Sequence, residues 1–259
     1  MSPGVSVCVI ACDEEERLAS CLEAVTWADE IVVVVDAKSS DGTEQVARKY
    51  ASRVEQQVYL GDIEQKRRCV ELASHEWVLL VDPDEIVTPR LGASIRRAVA
   101  SAEEKPNGFL LNRITYHLGR WIRHGDFYPD WKLRLFRPGR ASWVGRNPHG
   151  RVEVQGAVER IVGEIEHYSY RNLADQVARI QFFSGEAALA LHAEGRVPRV
   201  RDMVLRPPAR FARAYFLKRG FLDGVPGFVI AAATAFSVFL KYAKLWELAR
   251  VEKLGSGTA

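Results

Sequence analysis

Two runs of β-branched residues near the start of the chain most constrain how its 259 residues fold. Val5–Ala11 and Glu30–Asp36 are almost continuously apolar, which is typical of strands buried on both faces of a sheet. Residues 54–58 read as a short third strand and residues 77–81 as a fourth, and three segments predicted to be helical separate the four strands. This β-α-β-α-β-α-β order with short connections predicts a parallel sheet with right-handed crossovers.

Carboxylates end two of these predicted strands. The second strand ends on Asp36, and the fourth runs into Asp82-Pro83-Asp84-Glu85. Open α/β sheets bind ligands at the carboxyl ends of their strands, so we expect these acids at one ligand-binding edge. Carboxylates this close together repel one another unless a cation lies between them. An acidic triplet taken alone is more often a solvated turn, and its place after a fourth parallel strand favours a site.

The second half of the chain changes in character. Residues 109–116 and 133–136 predict strands, with a dense aromatic and basic stretch between them, and from about residue 172 the pattern becomes helical. We therefore expect two parts with different roles, an α/β domain over 1–170 and a helical region over 171–259.

Basic residues and an apolar stretch follow each other in the helical part. Between Arg196 and Arg219 there are eight Arg or Lys residues and a single acid, Asp202. Fourteen uncharged residues follow at 227–240, fewer than the roughly 20 that span a bilayer. Two interpretations remain open: a helix buried against the domain, or a helix lying in an anionic membrane surface. The basic segment has no nucleic-acid-binding motif, and no nucleic-acid partner is expected.

The cysteines and the N-terminus bear on the compartment. Cys8, Cys12, Cys21 and Cys69 have no zinc-ligand spacing, which predicts free thiols in a reducing environment. The first residues have no basic segment followed by an apolar signal segment. We expect a cytoplasmic protein.

In order along the chain, the motifs resemble those of family 2 glycosyltransferases of GT-A fold. The motifs are Val5–Ala11 with Asp13-Glu14, Asp36 with Ser40-Asp41-Gly42-Thr43, Gln65-Lys66, and Asp82-Pro83-Asp84-Glu85. Residues 118–124, 128–136, 167–170 and 239–246 are similar to the bacterial branch that adds glucose to the inner core of lipopolysaccharide. The resemblance implies a mixed, mainly parallel α/β sheet with a C-terminal helical extension.

The resemblance also implies a UDP-sugar donor, a Mg²⁺ or Mn²⁺ ion, and roles for five residues. Asp36 would bind the uracil edge, Glu14 would lie beside the nucleoside, and Lys66 would approach the base or the phosphates. Asp82 would face the ribose or a metal-bound water, and Asp84 would ligate the metal that bridges the phosphates. A hard cation on oxygen ligands stabilises the charge of the leaving diphosphate.

An inverting displacement also requires a base for the acceptor hydroxyl. Asp130 is the first candidate and Asp126 the second, although Asp130 could equally be a loop carboxylate paired with Lys132 or Arg134. Further candidates are His124, His149 and His167 for acceptor or metal contacts, and Trp121, Tyr128 and Trp131 for sugar stacking.

Two departures from the family pattern leave the acceptor open. Asp13 stands where the family usually has Asn, and Gly150 stands where the branch typically has Glu. We expect an inverting, metal-dependent hexosyltransferase that uses UDP-glucose or a similar donor on a lipid-linked glycan, at the inner face of the cytoplasmic membrane. The alternatives are a polyprenyl phosphate, capsule or protein-glycan acceptor, or a non-catalytic nucleotide-sugar-binding assembly protein.

Overall fold

The computed structural model describes residues 3–102, 106–145, 150–197 and 199–256. The chain divides into two compact units. The first unit comprises Met1–Ile114 and Asp130–His167, and the second comprises Thr115–Pro129 and Tyr168–Ala259. The functional division expected at residue 170 stays a prediction, because these units are defined by contacts and not by role.

Strands and helices alternate in the first half of the first unit, as the sequence predicts. The elements are β1 (Val5–Ala11), α1 (Glu15–Glu23), β2 (Glu30–Asp36), α2 (Thr43–Tyr50), β3 (Arg53–Gln57), α3 (Asp62–Leu72), β4 (Trp77–Leu80), β5 (Glu85–Val87) and α4 (Pro89–Ser101). The remaining strands are β6 (Gly108–His117), β7 (Arg120–Ile122), β8 (Asp130–Phe136), β9 (Ala141–Val144), β10 (Arg151–Val154) and β11 (Val158–His167).

The main sheet has the order β3-β2-β1-β4-β8-β6-β11-β5. β1 lies parallel to both β2 and β4, and β2 lies parallel to β3, which confirms the predicted parallel series. β8 then pairs antiparallel with β4 and β6, so the sheet is mixed and the expected fold class is confirmed. The short strand β5, which the sequence pattern does not predict, forms by antiparallel pairing with β11.

Both faces of the parallel strands are covered, which explains their continuous apolar runs. Alternate residues of β1 and β2, such as Val7 and Val33, pack with helices α1, α2 and α4. Their neighbours, such as Cys8 and Val32, pack on the opposite face with α3. Full burial of such a side chain is worth about 1.5–3 kcal/mol. All four cysteines are free thiols, as expected.

The second unit is mainly helical. Its helices are α5 (Leu173–Ala193), α6 (Val200–Ala212) and α7 (Gly224–Ser256). Ala188, Tyr242 and Leu245 form its small buried cluster. Within the described residues, one helix, Gly220–Val251, is long and apolar enough to cross a membrane, with a mean hydropathy of 1.6 in an 18-residue window. Only 22% of that window is buried, and within residues 227–240 most side chains are half-buried while Phe228, Phe236 and Phe239 are exposed.

Candidate active site

The loops that follow β1 and β2 are joined by reciprocal hydrogen bonds. Asp13 adopts a left-handed φ of 53°, and its Oδ1 accepts a hydrogen bond from the Ser40 N–H at 2.8 Å. The Ser39 hydroxyl accepts one from the Asp13 N–H at 3.0 Å, and the Thr43 hydroxyl accepts one from the Glu14 N–H at 2.8 Å. Asp and Asn tolerate this conformation better than other residues, which explains why Asp can occupy the family's Asn position.

Asp36 lies at the carboxyl end of β2, where the sequence places it. Its side chain is buried and Oδ1 accepts a hydrogen bond from the Lys38 N–H at 3.0 Å. Gln57 lies opposite Asp36 on β3. The thiol of Cys12 is near, and burial together with the Asp36 carboxylate raises the pKa of Cys12. Asp36 is not the N-terminal cap of α2, so its place at the strand end fits a ligand contact better than a helix cap.

Asp82 is ion-paired through both carboxylate oxygens. Oδ2 lies 2.5 Å from Arg134 Nη2, and Oδ1 lies 3.2 Å from Lys66 Nζ. Lys66 also contacts Asp62, one turn earlier in α3, at 3.2 Å. Burial raises the pKa of Asp82, but Arg134 and Lys66 more than offset burial, and the pKa lies well below its ordinary value. Asp82 is therefore ionised and already neutralised by protein cations.

Glu85 is fully buried and holds the acidic loop in place. Its Oε2 accepts a hydrogen bond from the Asp82 N–H at 3.0 Å. Its Oε1 lies 2.9 Å from Arg134 Nη2 and 3.1 Å from Arg113 Nη1. A carboxylate with these partners has no face for a substrate, so Glu85 is a structural residue of the loop.

Asp84 differs from its neighbours because it faces an imidazole. Asp84 Oδ2 lies 3.4 Å from His167 Nε2 and 4.0 Å from Arg17 Nη1. The β5–β11 pairing sets His167 opposite Glu85 and so brings it to Asp84. Burial raises the pKa of Asp84, whereas the hydrogen bond and charge of His167, and then Arg17, lower it below its ordinary value.

The Asp84–His167 pair fits a divalent cation whose coordination is completed by a substrate. Among the described residues, no three His, Cys, Asp or Glu side chains form a metal cluster. One carboxylate oxygen and one imidazole nitrogen supply part of a shell, as in sites where phosphate oxygens and water provide the rest. The carboxylate oxygen suits Mg²⁺ or Mn²⁺, whereas an imidazole nitrogen is a ligand that transition metals prefer.

Asp130 begins β8 and is also ion-paired. Its Oδ2 lies 2.7 Å from Arg113 Nη2, and its Oδ1 lies 3.0 Å from Lys132 Nζ. Burial raises the pKa of Asp130, but Arg113 and Lys132 outweigh burial and lower the pKa below its ordinary value. Because Arg113 also contacts Glu85, it connects Asp130 to the acidic loop. Of the two partners proposed for Asp130, Lys132 is present and Arg134 binds Asp82 and Glu85 instead.

The sequence pattern did not single out Arg113, and it offered Arg134 only as a partner of Asp130, yet both cations lie at the centre of this network. Both lie within strands whose other residues are largely apolar. A charged side chain at a buried strand position is rare unless it is paired, and this signal was available. The link between Asp84 and His167 had no comparable signal, because the β5–β11 pairing creates it.

The other predicted residues have separate surroundings. Asp126 lies in the second unit, with its Oδ2 3.1 Å from Arg210 and its Oδ1 2.9 Å from Lys218. His124, in the same unit, pairs with the buried Asp223 at 3.2 Å. Asp126, like Asp130, is therefore paired with two cations.

The aromatic residues predicted to stack on a sugar fall in both units. Trp121 contacts Tyr116 and Tyr168 in the second unit, with ring centroids 5.1 and 5.5 Å away. Trp131, in the first unit, lies beneath the guanidinium of Arg160. Tyr128 is half-buried, and His149 lies outside the described residues.

Comparisons with known proteins agree with this arrangement. Residues 6–162 match the sequence model of glycosyl transferase family 2. An uncharacterized glycosyltransferase of Rickettsia conorii is 27% identical over 262 residues, covering 94% of this chain and 90% of its own. The lipopolysaccharide core biosynthesis glycosyltransferase LpsC of Rhizobium meliloti is 26% identical over 250 residues, covering 94% and 92%.

A solved structure shares the fold. The mannosyltransferase PcManGT of Pyrobaculum calidifontis, crystallised with GDP-Man and Mn²⁺, superposes with a TM-score of 0.58 at 17% identity. The match covers 95% of this chain and 88% of that one. With the family match extending over more than half of the residues, the chain belongs to glycosyltransferase family 2 and is a glycosyltransferase.

Proposed function

We propose that the protein transfers a hexose, with glucose as the first candidate, from a UDP-sugar to a lipid-linked glycan, with inversion at the anomeric carbon. The Asp84–His167 pair at the edge of the sheet is the observation that carries the proposal. The similarity to LpsC, which is named for lipopolysaccharide core biosynthesis, supports an acceptor in the lipopolysaccharide core.

The donor would bind along the carboxyl ends of the parallel strands. Asp36 would accept a hydrogen bond from the uracil edge, and Glu14 would lie beside the nucleoside. Lys66, held between Asp62 and Asp82, would meet the phosphates. Burial lowers the pKa of Lys66, but the Asp82 and Asp62 carboxylates together outweigh burial, and the raised pKa keeps the amine cationic.

Asp84 and His167 would hold the divalent metal, with Asp82 contributing indirectly. Asp82 was predicted to be a ligand or to face a metal-bound water, and its two ion pairs favour the second role. When bound, the ion stabilises the negative charge of the departing diphosphate.

Asp130 would take the proton from the acceptor hydroxyl. Asp130 is ionised near neutral pH, and its lowered pKa makes it a weaker base than an unpaired carboxylate. Arg113 contacts the carboxylates of both Asp130 and Glu85, and would hold the Asp130 carboxylate in position.

The reaction would take place at the cytoplasmic face of the inner membrane. The basic helix α6 and the exposed apolar surface of α7 suit contact with anionic lipid. A polyprenyl phosphate acceptor would satisfy the same chemistry and is the second candidate.

A donor screen that measures released nucleoside diphosphate tests the proposal. We expect slow hydrolysis of UDP-glucose that requires Mn²⁺ or Mg²⁺ and is lost in Asp84→Asn. The control Glu153→Gln changes an exposed acid of β10 and should behave like the native chain. Binding of UDP without turnover of any donor would instead identify a non-catalytic binding protein. Full activity of Asp84→Asn would remove the metal assignment.

A further inference from the structure

The turn between α6 and α7 presents large apolar side chains to solvent. We call residues 216–228 the apolar turn. Its exposed apolar residues, with their exposed fractions, are Phe216 (59%), Leu217 (80%), Phe221 (45%), Leu222 (49%), Val225 (74%) and Phe228 (49%). Contiguous apolar surface of this kind on a folded protein generally marks an interaction site.

Internal contacts build the apolar turn into a defined structure. Asp223 is 1% exposed and accepts hydrogen bonds from the backbone N–H groups of Arg123 and His124 at 3.0 and 2.8 Å. Gly220 and Gly227 touch so closely that a Cβ on Gly227 would lie 1.9 Å from the Gly220 carbonyl oxygen. The exposure of the apolar side chains is therefore a property of a packed turn, not of a frayed chain end.

Positive charge surrounds the apolar turn. Arg213 and Arg219 are exposed, and Lys218 is partly exposed while it contacts Asp126. Asp202 and Asp223 are the only acids between residues 196 and 228, and both are buried. The surface around the apolar side chains consequently offers bases to an anionic partner.

This combination distinguishes a lipid surface from a second copy of the chain. A symmetric dimer would bring the same patch of both copies together, so the bases of one copy would face those of the other. An anionic bilayer instead places phosphates opposite the bases and an apolar layer opposite the side chains.

We propose that the apolar turn inserts into the headgroup and upper acyl region of an anionic bilayer. The inference deepens the membrane location given under the proposed function, and rests on it. It assigns first contact to residues 216–228 and not to the middle of α7. Leu217, the most exposed of the six side chains, would enter the bilayer, while Arg213 and Arg219 contact lipid phosphates.

An environment-sensitive nitrobenzoxadiazole label tests the proposal in the full chain. The label is attached to Leu217→Cys in a Cys12→Ser background, because Cys12 is the exposed cysteine and the other three are buried. The matched control carries the label at Leu189→Cys on α5, where the native side chain is 52% exposed. Both proteins are mixed with vesicles of phosphatidylglycerol and phosphatidylcholine, and with vesicles of phosphatidylcholine alone.

We expect at least a twofold rise and a blue shift in emission at position 217 with anionic vesicles only, and little change at position 189. Equal responses at both positions, or silence at 217 while the protein sediments with vesicles, would overturn the assignment. A response at 217 that appears without vesicles as protein concentration rises would identify a second copy as the partner, and also overturns it.

A second variant avoids dependence on the label. Phe216→Ser with Leu217→Ser should weaken sedimentation with anionic vesicles at least tenfold, whereas Leu189→Ser should not. Equal sedimentation of the two variants, both folded by circular dichroism, would contradict the proposal.

UDP release from UDP-glucose by the native chain separates the two proposals. If the native chain releases UDP but the label at position 217 does not respond to vesicles, the enzyme assignment stands and the proposed insertion of the apolar turn is wrong. Insertion without UDP release leaves the membrane contact and removes the donor assignment.

Discussion

Replacement of Glu85 by glutamine tests whether the acidic loop is held by a buried ion network. Glu85 is 0% exposed, and its carboxylate meets only donors: the Asp82 N–H, Arg113 and Arg134. Glutamine has the same shape but replaces one acceptor oxygen with an NH₂ group. That group must face a backbone N–H or a guanidinium, so a donor is set against a donor and two cations lose their shared anion.

The size of the effect follows from the distances. At an effective dielectric constant of about 20, an ion pair at the 2.9 Å of Glu85 and Arg134 is worth about 6 kcal/mol before desolvation. Breaking a buried pair by removing one partner typically costs about 3–5 kcal/mol. At about 2–4 °C per kcal/mol for a chain of this size, the melting temperature should fall by about 6–20 °C.

Thermal unfolding followed by circular dichroism measures the change, and UDP release measures its effect on the site. Glu153→Gln, an exposed substitution of the same chemistry, should shift stability by less than about 0.5 kcal/mol. If Glu85→Gln melts within 2 °C of the native chain, which by the same scale is roughly 1 kcal/mol or less, the buried network does not hold the loop and the argument fails.

Three further substitutions address the base, its pH dependence and the loops. Asp130→Asn should lower kcat about 10²–10⁴-fold with UDP binding unchanged, and an unchanged kcat would remove the base assignment. The lowered pKa of Asp130 keeps its carboxylate ionised as pH falls, and the charge of Arg113 is the largest cause that lowers this pKa. Arg113→Met should therefore raise the pKa of Asp130 and move the acidic limb of the rate profile to higher pH. An acidic limb at the same pH would contradict this. Asp13→Ala should cost about 1–2 kcal/mol of unfolding free energy through the lost hydrogen bond to Ser40, while Asp13→Asn should cost less, as denaturant titration can check.

The parallel half of the sheet was predictable because its signals are local. The apolar runs of β1 and β2 reflect burial on both faces, and each run by itself specifies a strand. Asp36 and Asp82 follow their strands directly, so once the strands are parallel the two acids must share an edge. The predicted strand at 54–58 is observed at Arg53–Gln57, a shift of one residue.

The roles within the acidic stretch depended on partners that are distant in sequence. In the sequence, Asp82, Asp84 and Glu85 are three similar acids. In the structure, Asp82 pairs with Lys66 and Arg134. Asp84 contacts His167, and Glu85 contacts two guanidinium groups. Lys66 comes from α3, whereas Arg113, Arg134 and His167 are brought close by antiparallel pairings that no local pattern specifies. Only the folded chain separates a candidate metal ligand from a structural anion.

In the helical part, the sequence predicted the helix but not its burial. The sequence determined that residues 227–240 form an apolar helix beside a basic segment, but periodicity alone left open whether that helix is buried. The structure leaves most of it half-buried, with Phe228, Phe236 and Phe239 exposed, and fixes Phe216 and Leu217 in solvent on a packed turn. Hydrophobicity and helical spacing are properties of residues close together in the sequence, so the sequence alone predicts them. Burial is a relation between segments far apart in sequence, and the tertiary structure decided it.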